Sequence, residues 1–293
     1  MCSHCLERCA QALVLAATLI AAVPQVSARE LRVCADPDNL PYSNAAGEGF
    51  ENRIATVLAG ELHADLRYTW LPQWRGFVRK TIGAGSCDVV IGVPEGYGPV
   101  LTTRPYYRSR YVMVYRADRE SAYTSLDDPR LRIRRVAVQL PGNDMAATPA
   151  GEALARRGIV ANVVGYTPFG DGPAARRIID DVAARRVDVA LVWGPQAGYF
   201  ARRSGAPLAL VPIHDVSSPV PFEFAIAIGV KRGDTALRDA LDRALDAAQP
   251  RIDAILAQFG VPRSDEPIDA RAALAALIEA HSSLRDVVEL PMP

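Results

Sequence analysis

Along most of the chain, short apolar runs alternate with stretches whose apolar residues recur at helical spacing. Leu31 to Ala35 is an apolar run stopped by the turn-forming Asp36-Pro37-Asp38-Asn39, the pattern of a buried parallel strand entering a loop. Phe50, Ile54, Val57, Leu58 and Leu62 then share one helical face. Asp65 to Leu71 reads as a second strand, Phe77 to Ile82 as a short helix, and the apolar run from Cys87 as a third strand ending at Gly92. Strand and helix alternating in this way predict an α/β fold, a mostly parallel sheet with helices on both faces. Ligands of such sheets bind outside the carboxyl ends of the strands. The loops Asp36 to Tyr42, Leu71 to Arg75 and Val93 to Arg104 therefore line one side of a crevice.

The same alternation restarts after the polar link Ala117 to Arg130. Strands are predicted at Arg135 to Gln139, Val160 to Tyr166, Val187 to Trp193 and Leu208 to Ile213, with helices at Asn143 to Arg157, Pro173 to Arg186 and Pro195 to Arg203. Two long apolar runs, Arg110 to Arg116 and Phe222 to Lys231, carry the chain out of the first unit and back. The expected organisation is lobe 1 at 29–116 plus 225–262, lobe 2 at 117–224, and a helical extension at 263–293. Asp234 to Phe259 reads as two helices broken at Pro250.

Composition narrows the partners. Thirty-three basic and 33 acidic residues cancel, so no overall field draws the chain to nucleic acid or anionic lipid. The first residues read as an export signal at 1–28: Arg8, an apolar core from Ala12 to Val23, and Val26-Ser27-Ala28 as the cleavage site. That core is short of a membrane span, and no lipobox cysteine stands at the cleavage point. A soluble, exported protein is expected. Cys34 and Cys87 then remain in an oxidising compartment. They form either a disulfide or two buried thiols, because in-register parallel strands would hold the two positions too far apart.

Several strings carry a resemblance. ADPDNLPYSN, GEGFENRIA, RGFVR, CDVVIGVPEGY and TTRPYYRSRYV resemble type II periplasmic solute-binding proteins, the amino-acid-binding-like family 3. More narrowly, they resemble the subset associated with quinoprotein methanol dehydrogenases, the MoxJ/XoxJ type. The resemblance implies a two-lobed fold joined by two crossover strands, with a hinged cleft. It also implies a non-enzymatic accessory, activation or maturation partner of a PQQ-dependent methanol (alcohol) dehydrogenase, acting alongside that enzyme's cytochrome c. The protein itself needs no cofactor.

The departures from the class pattern concern the cleft. Amino-acid binders of the class hold the ligand carboxylate with an Arg in the loop after the Cys87-type strand. Here that slot falls on Gly96 or Val100, and Arg104, beside Pro105, is the candidate substitute. The Asp that holds the ligand ammonium is replaced by Trp193, and the stacking ring by Arg75 next to Trp74. An unpaired ligand charge in a closed cleft is costly, so a free α-amino acid is not the expected ligand. The expected cleft set is Asp36, Asn39, Tyr42, Trp74, Arg75, Pro94, Glu95, Tyr97, Arg104, Asn143 and Trp193.

Each feature has a plainer reading. The aromatic residues either stack on a ligand or fill a vestigial cleft as core. Asp36, Asp38 and Glu95 are a carboxylate set of the kind hard cations take, but turn chemistry accounts for the first two. Arg75, Arg79, Arg104, Arg108 and Arg110 are either a solvated face or a docking patch for an acidic partner. No nucleophile motif or phosphate loop is present, and Glu95, the one candidate general base, has no acid partner. The alternative function is a receptor delivering a small non-amino-acid solute to an ABC permease.

Overall fold

The computed structural model describes residues 29–74, 76–118, 122–141, 148–215 and 221–264. The expected signal at 1–28, Arg75, Asn143 and most of the 263–293 extension lie outside the described residues. The elements used below are β1 (Arg29–Ala35), α1 (Phe50–Glu61), β2 (Ala64–Trp70), α2 (Phe77–Lys80), β3 (Val89–Pro94) and β4 (Tyr107–Arg116). They continue with β5 (Val136–Gln139), α3 (Pro149–Arg156), β6 (Val163–Tyr166), α4 (Ala174–Ala183), β7 (Val189–Trp193) and α5 (Gly194–Ala201). The last are β8 (Leu208–Pro212), β9 (Glu223–Val230) and α6 (Thr235–Phe259).

The strands run in the order β2-β1-β3-β9-β4-β7-β5-β6, with β8 also on β4. β1 is parallel to β2 and β3, and β5 is parallel to β7 and β6. The two crossing strands, β4 and β9, run antiparallel to their neighbours. The fold is the expected two-lobed α/β architecture with two crossings. β4 changes partners within its length: Tyr107 to Arg110 pair with β9, and Tyr111 onward pairs with β7 and β8. The passage into lobe 2 therefore falls inside the strand, ahead of the boundary expected after Arg116.

Alternation along β1 decides what packs on each face. Leu31 and Val33 join the main core with Phe50, Ile54 and Leu58 of α1. Cys34 points to the other face and meets Phe77, Ile82, Cys87 and Val90. The start of α1 is set by a close approach, since a Cβ on Gly49 would lie 2.0 Å from the Tyr42 carbonyl oxygen. The side-chain oxygen of Asn52 accepts from the backbone N–H groups of Gly49 and Asn44 at 3.1 and 3.0 Å, which caps the turn.

α6 corrects one expectation: it is a single helix through Pro250. The buried stripe Leu241, Leu245, Ala248, Ile252 and Leu256 is continuous across the proline, whereas Pro250 itself lies on the exposed face. The carbonyl that loses its helical partner therefore faces water, and burial on both sides outweighs the missing bond. α5 of lobe 2 rests against the end of α6. A Cβ on Gly198 would come within 1.9 Å of the Gly260 carbonyl oxygen, and Tyr199 stacks on Phe259 at 5.6 Å.

Cys34 and Cys87 are joined by a disulfide with Cα atoms 5.6 Å apart. The in-register argument misplaces Cys87, because β3 begins only at Val89. Asp88 still follows β1, its N–H donating to the Arg32 carbonyl at 2.8 Å, and Cys87 before it joins Cys34 in the cluster on the face away from the main core. Asp88 is also paired with the Arg32 guanidinium at 2.6 Å. The bridge closes a loop spanning 53 positions. Removing it by Cys34→Ser with Cys87→Ser should lower stability by about 2–4 kcal/mol through the freed unfolded chain. Urea denaturation of the double variant and of the reduced wild type should give matching losses.

Candidate functional site

The carboxyl ends of β1, β5 and β6 and the loops after them enclose a cleft of about 1150 Å³ between the lobes. Lobe 1 contributes Asp36, Asp38, Asn39, Tyr42, Gln73, Trp74, Lys80 and Tyr97, and lobe 2 contributes Gln139, Leu140, Phe169 and Gln196. Proline rings complete the wall at Pro37, Pro72, Pro141, Pro168 and Pro173. Five residues of the expected set therefore meet here: Asp36, Asn39, Tyr42, Trp74 and Tyr97.

Two of these polar groups serve the wall itself. The Asp36 carboxylate accepts from the backbone N–H of Asp38 at 2.9 Å and of Gln73 at 2.6 Å. The Asn39 amide donates to the Gln73 side chain at 3.1 Å. Together they tie the loop after β1 to the loop after β2. Tyr42 sits edge-on to Phe50 at 5.3 Å, so the core holds its ring while the cleft receives its edge. At the mouth, Trp74 of lobe 1 meets Phe169 of lobe 2 at 5.4 Å. Both rings remain solvent-accessible, Trp74 to 58% and Phe169 to 39%.

Other expected residues stand elsewhere. Arg104 does not substitute for the missing anchor. Its backbone N–H donates to Asp242 at 2.9 Å and its guanidinium pairs with Asp246, both on the outer side of α6. Pro94 pairs with Ile226, and Glu95 N–H donates to the Ala225 carbonyl at 2.9 Å, so this turn belongs to the β3–β9 edge and does not line the cleft. Trp193 packs between Tyr111 at 5.3 Å and Phe224 at 5.8 Å, filling the junction of the two crossing strands. Among the described residues, no group of three or more His, Cys, Asp or Glu side chains is arranged to hold a metal ion.

One titratable group escapes the sequence pattern. Glu51, in the first turn of α1, directs its carboxyl group inward against Gly92, where a Cβ would come within 2.1 Å of Oε1. Gly92 has φ +82° and leaves the space a side chain would take. Burial pushes the Glu51 carboxyl up to about 8. Burial likewise raises the phenols of Tyr42, Tyr106 and Tyr107, and the nearby Glu51 raises each further. Spacing alone reads Glu51 as an exposed helix residue. The signal that could have found it is the glycine at the middle of an apolar strand.

A carboxyl that the fold holds protonated stabilises the protein fully only below its unfolded value near 4.5. That stability is eroded as pH rises toward about 8. Glu51→Gln should therefore be more stable than wild type at pH 8, by on the order of 2–4 kcal/mol, with the difference vanishing toward pH 4.5. Urea titrations at the two pH values check both sign and slope.

Comparison with known proteins covers about four fifths of the chain. No family model matches it. MoxJ of Methylorubrum extorquens is 35% identical over 247 residues, covering 79% of this chain and 81% of that protein. MoxJ of Paracoccus denitrificans is 34% identical over 268 residues, covering 84% and 94%. The crystal structure of the periplasmic binding protein XoxJ from Methylobacterium extorquens AM1 aligns with a TM-score of 0.68 at 38% identity, covering 80% of this chain and all of that one. This chain belongs to the MoxJ/XoxJ family of periplasmic binding proteins.

Proposed function

We propose that this protein is a non-enzymatic periplasmic accessory to a PQQ-dependent methanol dehydrogenase, acting in the enzyme's activation or maturation. In this reading its cleft receives an extended segment of a partner protein. Family membership supports the association with the methanol dehydrogenase system. The lining of the cleft supports the kind of ligand, and it is the single observation that carries the reading. Proline rings, aromatic edges and the side-chain amides of Asn39, Gln73, Gln139 and Gln196 surround a volume of about 1150 Å³. That is at or beyond the upper end of ordinary small-molecule sites.

Aromatic and proline surfaces grip an extended chain, and amides match its backbone groups. The slots that hold the carboxylate and ammonium of a free amino acid carry Gly96 or Val100 and Trp193 in this chain. Trp193 is occupied in packing. The dehydrogenase is the first candidate source of the segment and its cytochrome c the second. The fold is shared with transport receptors, so delivery of a small non-amino-acid solute to an ABC permease is the competing reading.

Affinity capture from periplasm, with mass spectrometry of retained proteins and small molecules, separates these readings. Recovery of the dehydrogenase without a stoichiometric metabolite is the expected result. An amino acid at full occupancy with no dehydrogenase would overturn it. Trp74→Ala combined with Phe169→Ala should weaken retention of the enzyme about tenfold or more, the loss typical of an aromatic anchor. The melting temperature should be little changed, because both rings are exposed.

A further inference from the structure

The arginines around the start of β4 stand out in the sequence, and the structure sorts them into different uses. Arg104 is taken up by Asp242 and Asp246. Arg110 pairs with Glu223 at 2.5 Å and donates to Ser264. Arg108 has no ion pair among the described residues, and its Nε–H is buried without a hydrogen-bond partner. A buried donor left unpaired is costly, more so when it is charged.

Arg108 lines a separate cavity of about 350 Å³ formed by the first residues of β4, the middle of α6 and the segment after it. The cavity shares no lining residue with the cleft. The Tyr106 hydroxyl of the lining is likewise buried without a partner, whereas its other charged and amide groups are paired. Arg263 is paired with Asp253 at 2.6 Å. The Gln249 amide donates to the Tyr106 carbonyl at 3.1 Å and to Asp253 at 2.9 Å. Ser264 N–H donates to the Arg108 carbonyl at 3.2 Å, and the Ser264 hydroxyl donates to Glu223. Asp253 is thus balanced by Arg263, which leaves the Arg108 guanidinium as the unbalanced charge of the lining. The edge formed by Nε and one Nη is the one a guanidinium offers to a carboxylate as two parallel hydrogen bonds.

We propose that the cavity behind the crossing strands is a carboxylate-binding site anchored by Arg108. Its ligand is either a free small carboxylate or the acidic side chain of a docked protein, and both present the same group to the guanidinium. The position is independent of the cleft, so the site stands whether or not the cleft takes a partner segment.

The Nε–H resonance of Arg108, identified by its loss in Arg108→Lys, provides the readout. Sodium malonate represents a free carboxylate and acetyl-glutamate amide a side-chain carboxylate. Each is added to the ¹⁵N-labelled full-length protein at constant ionic strength. The expected result is a saturable shift of that resonance with a Kd of ~1 mM, and the tighter of the two ligands identifies the source. Protection against thermal unfolding by malonate should fall about tenfold in apparent affinity in Arg108→Lys, which keeps the charge but lacks the two-donor edge. Arg108→Gln, which removes the charge, should lose it altogether. An identical response to sodium chloride, meaning an adventitious ion only, would overturn the proposal, as would the absence of a saturable shift. Asp265 and Glu266 follow Ser264 in sequence. If malonate acts only on a variant carrying Asp265→Asn and Glu266→Gln, the cavity serves the chain's own carboxylate and the proposal also fails.

Discussion

The pairing of β4 with β9 is the constraint on which the two-lobed structure depends. Among the described residues these two strands carry the chain between the lobes, and they meet over Tyr107 to Arg110 and Glu223 to Ile226. Beyond Arg110, β4 gives both of its edges to lobe 2 strands. One ladder therefore fixes where each lobe's sheet ends and how the cleft faces are presented. The rest of the junction is built to protect that ladder. Ser109 is fully buried and its hydroxyl donates to the Pro262 carbonyl at 2.5 Å. Gly194 admits the Arg110 carbonyl, where a Cβ would stand 2.5 Å away, and Trp193 fills the space between Tyr111 and Phe224. A residue that looks like a ligand contact in the linear pattern is thus committed to holding the lobes together.

The cleft's chemistry follows from how its charges are spent. Asp36 satisfies backbone donors of its own wall, Asn39 binds Gln73, and Glu51 is held uncharged beneath Tyr42. What reaches the opening is mainly ring, proline and amide surface. Such a lining suits contacts that are broad and weakly polar. Asp38 and Lys80 are the further charged side chains on its lobe 1 wall.

Much of the architecture was legible in sequence because it rests on local periodicity. The run Leu31 to Ala35, the helical face from Phe50 to Leu62, and the two long apolar crossings each follow from their own residues. The misreadings share a cause, which is long-range context. Pro250 breaks an isolated helix but not one whose buried stripe is anchored on both sides. Cys87 reads as part of a strand in the linear pattern, whereas the strand begins only at Val89. Arg104 sits in a loop that borders the crevice, yet Asp242 and Asp246, far along the chain, claim it. Within the site, Tyr42, Trp74 and Tyr97 could be found because aromatic residues in loops at strand ends are conspicuous. Phe169, Gln139 and Gln196 could not, since only the apposition of the second lobe gives them a role.

The bridge between Cys34 and Cys87 has a further consequence for the life of the chain before it reaches the periplasm. It lies at the root of the Asp36 to Asn44 loop, so the cleft's first wall gains its full support only when both sulfurs are oxidised. In the reducing interior of the cell the same polypeptide lacks that support and is correspondingly easier to keep unfolded for threading through a membrane pore. The compartment thus supplies the last step of assembly. The finished cleft comes into being in the periplasm.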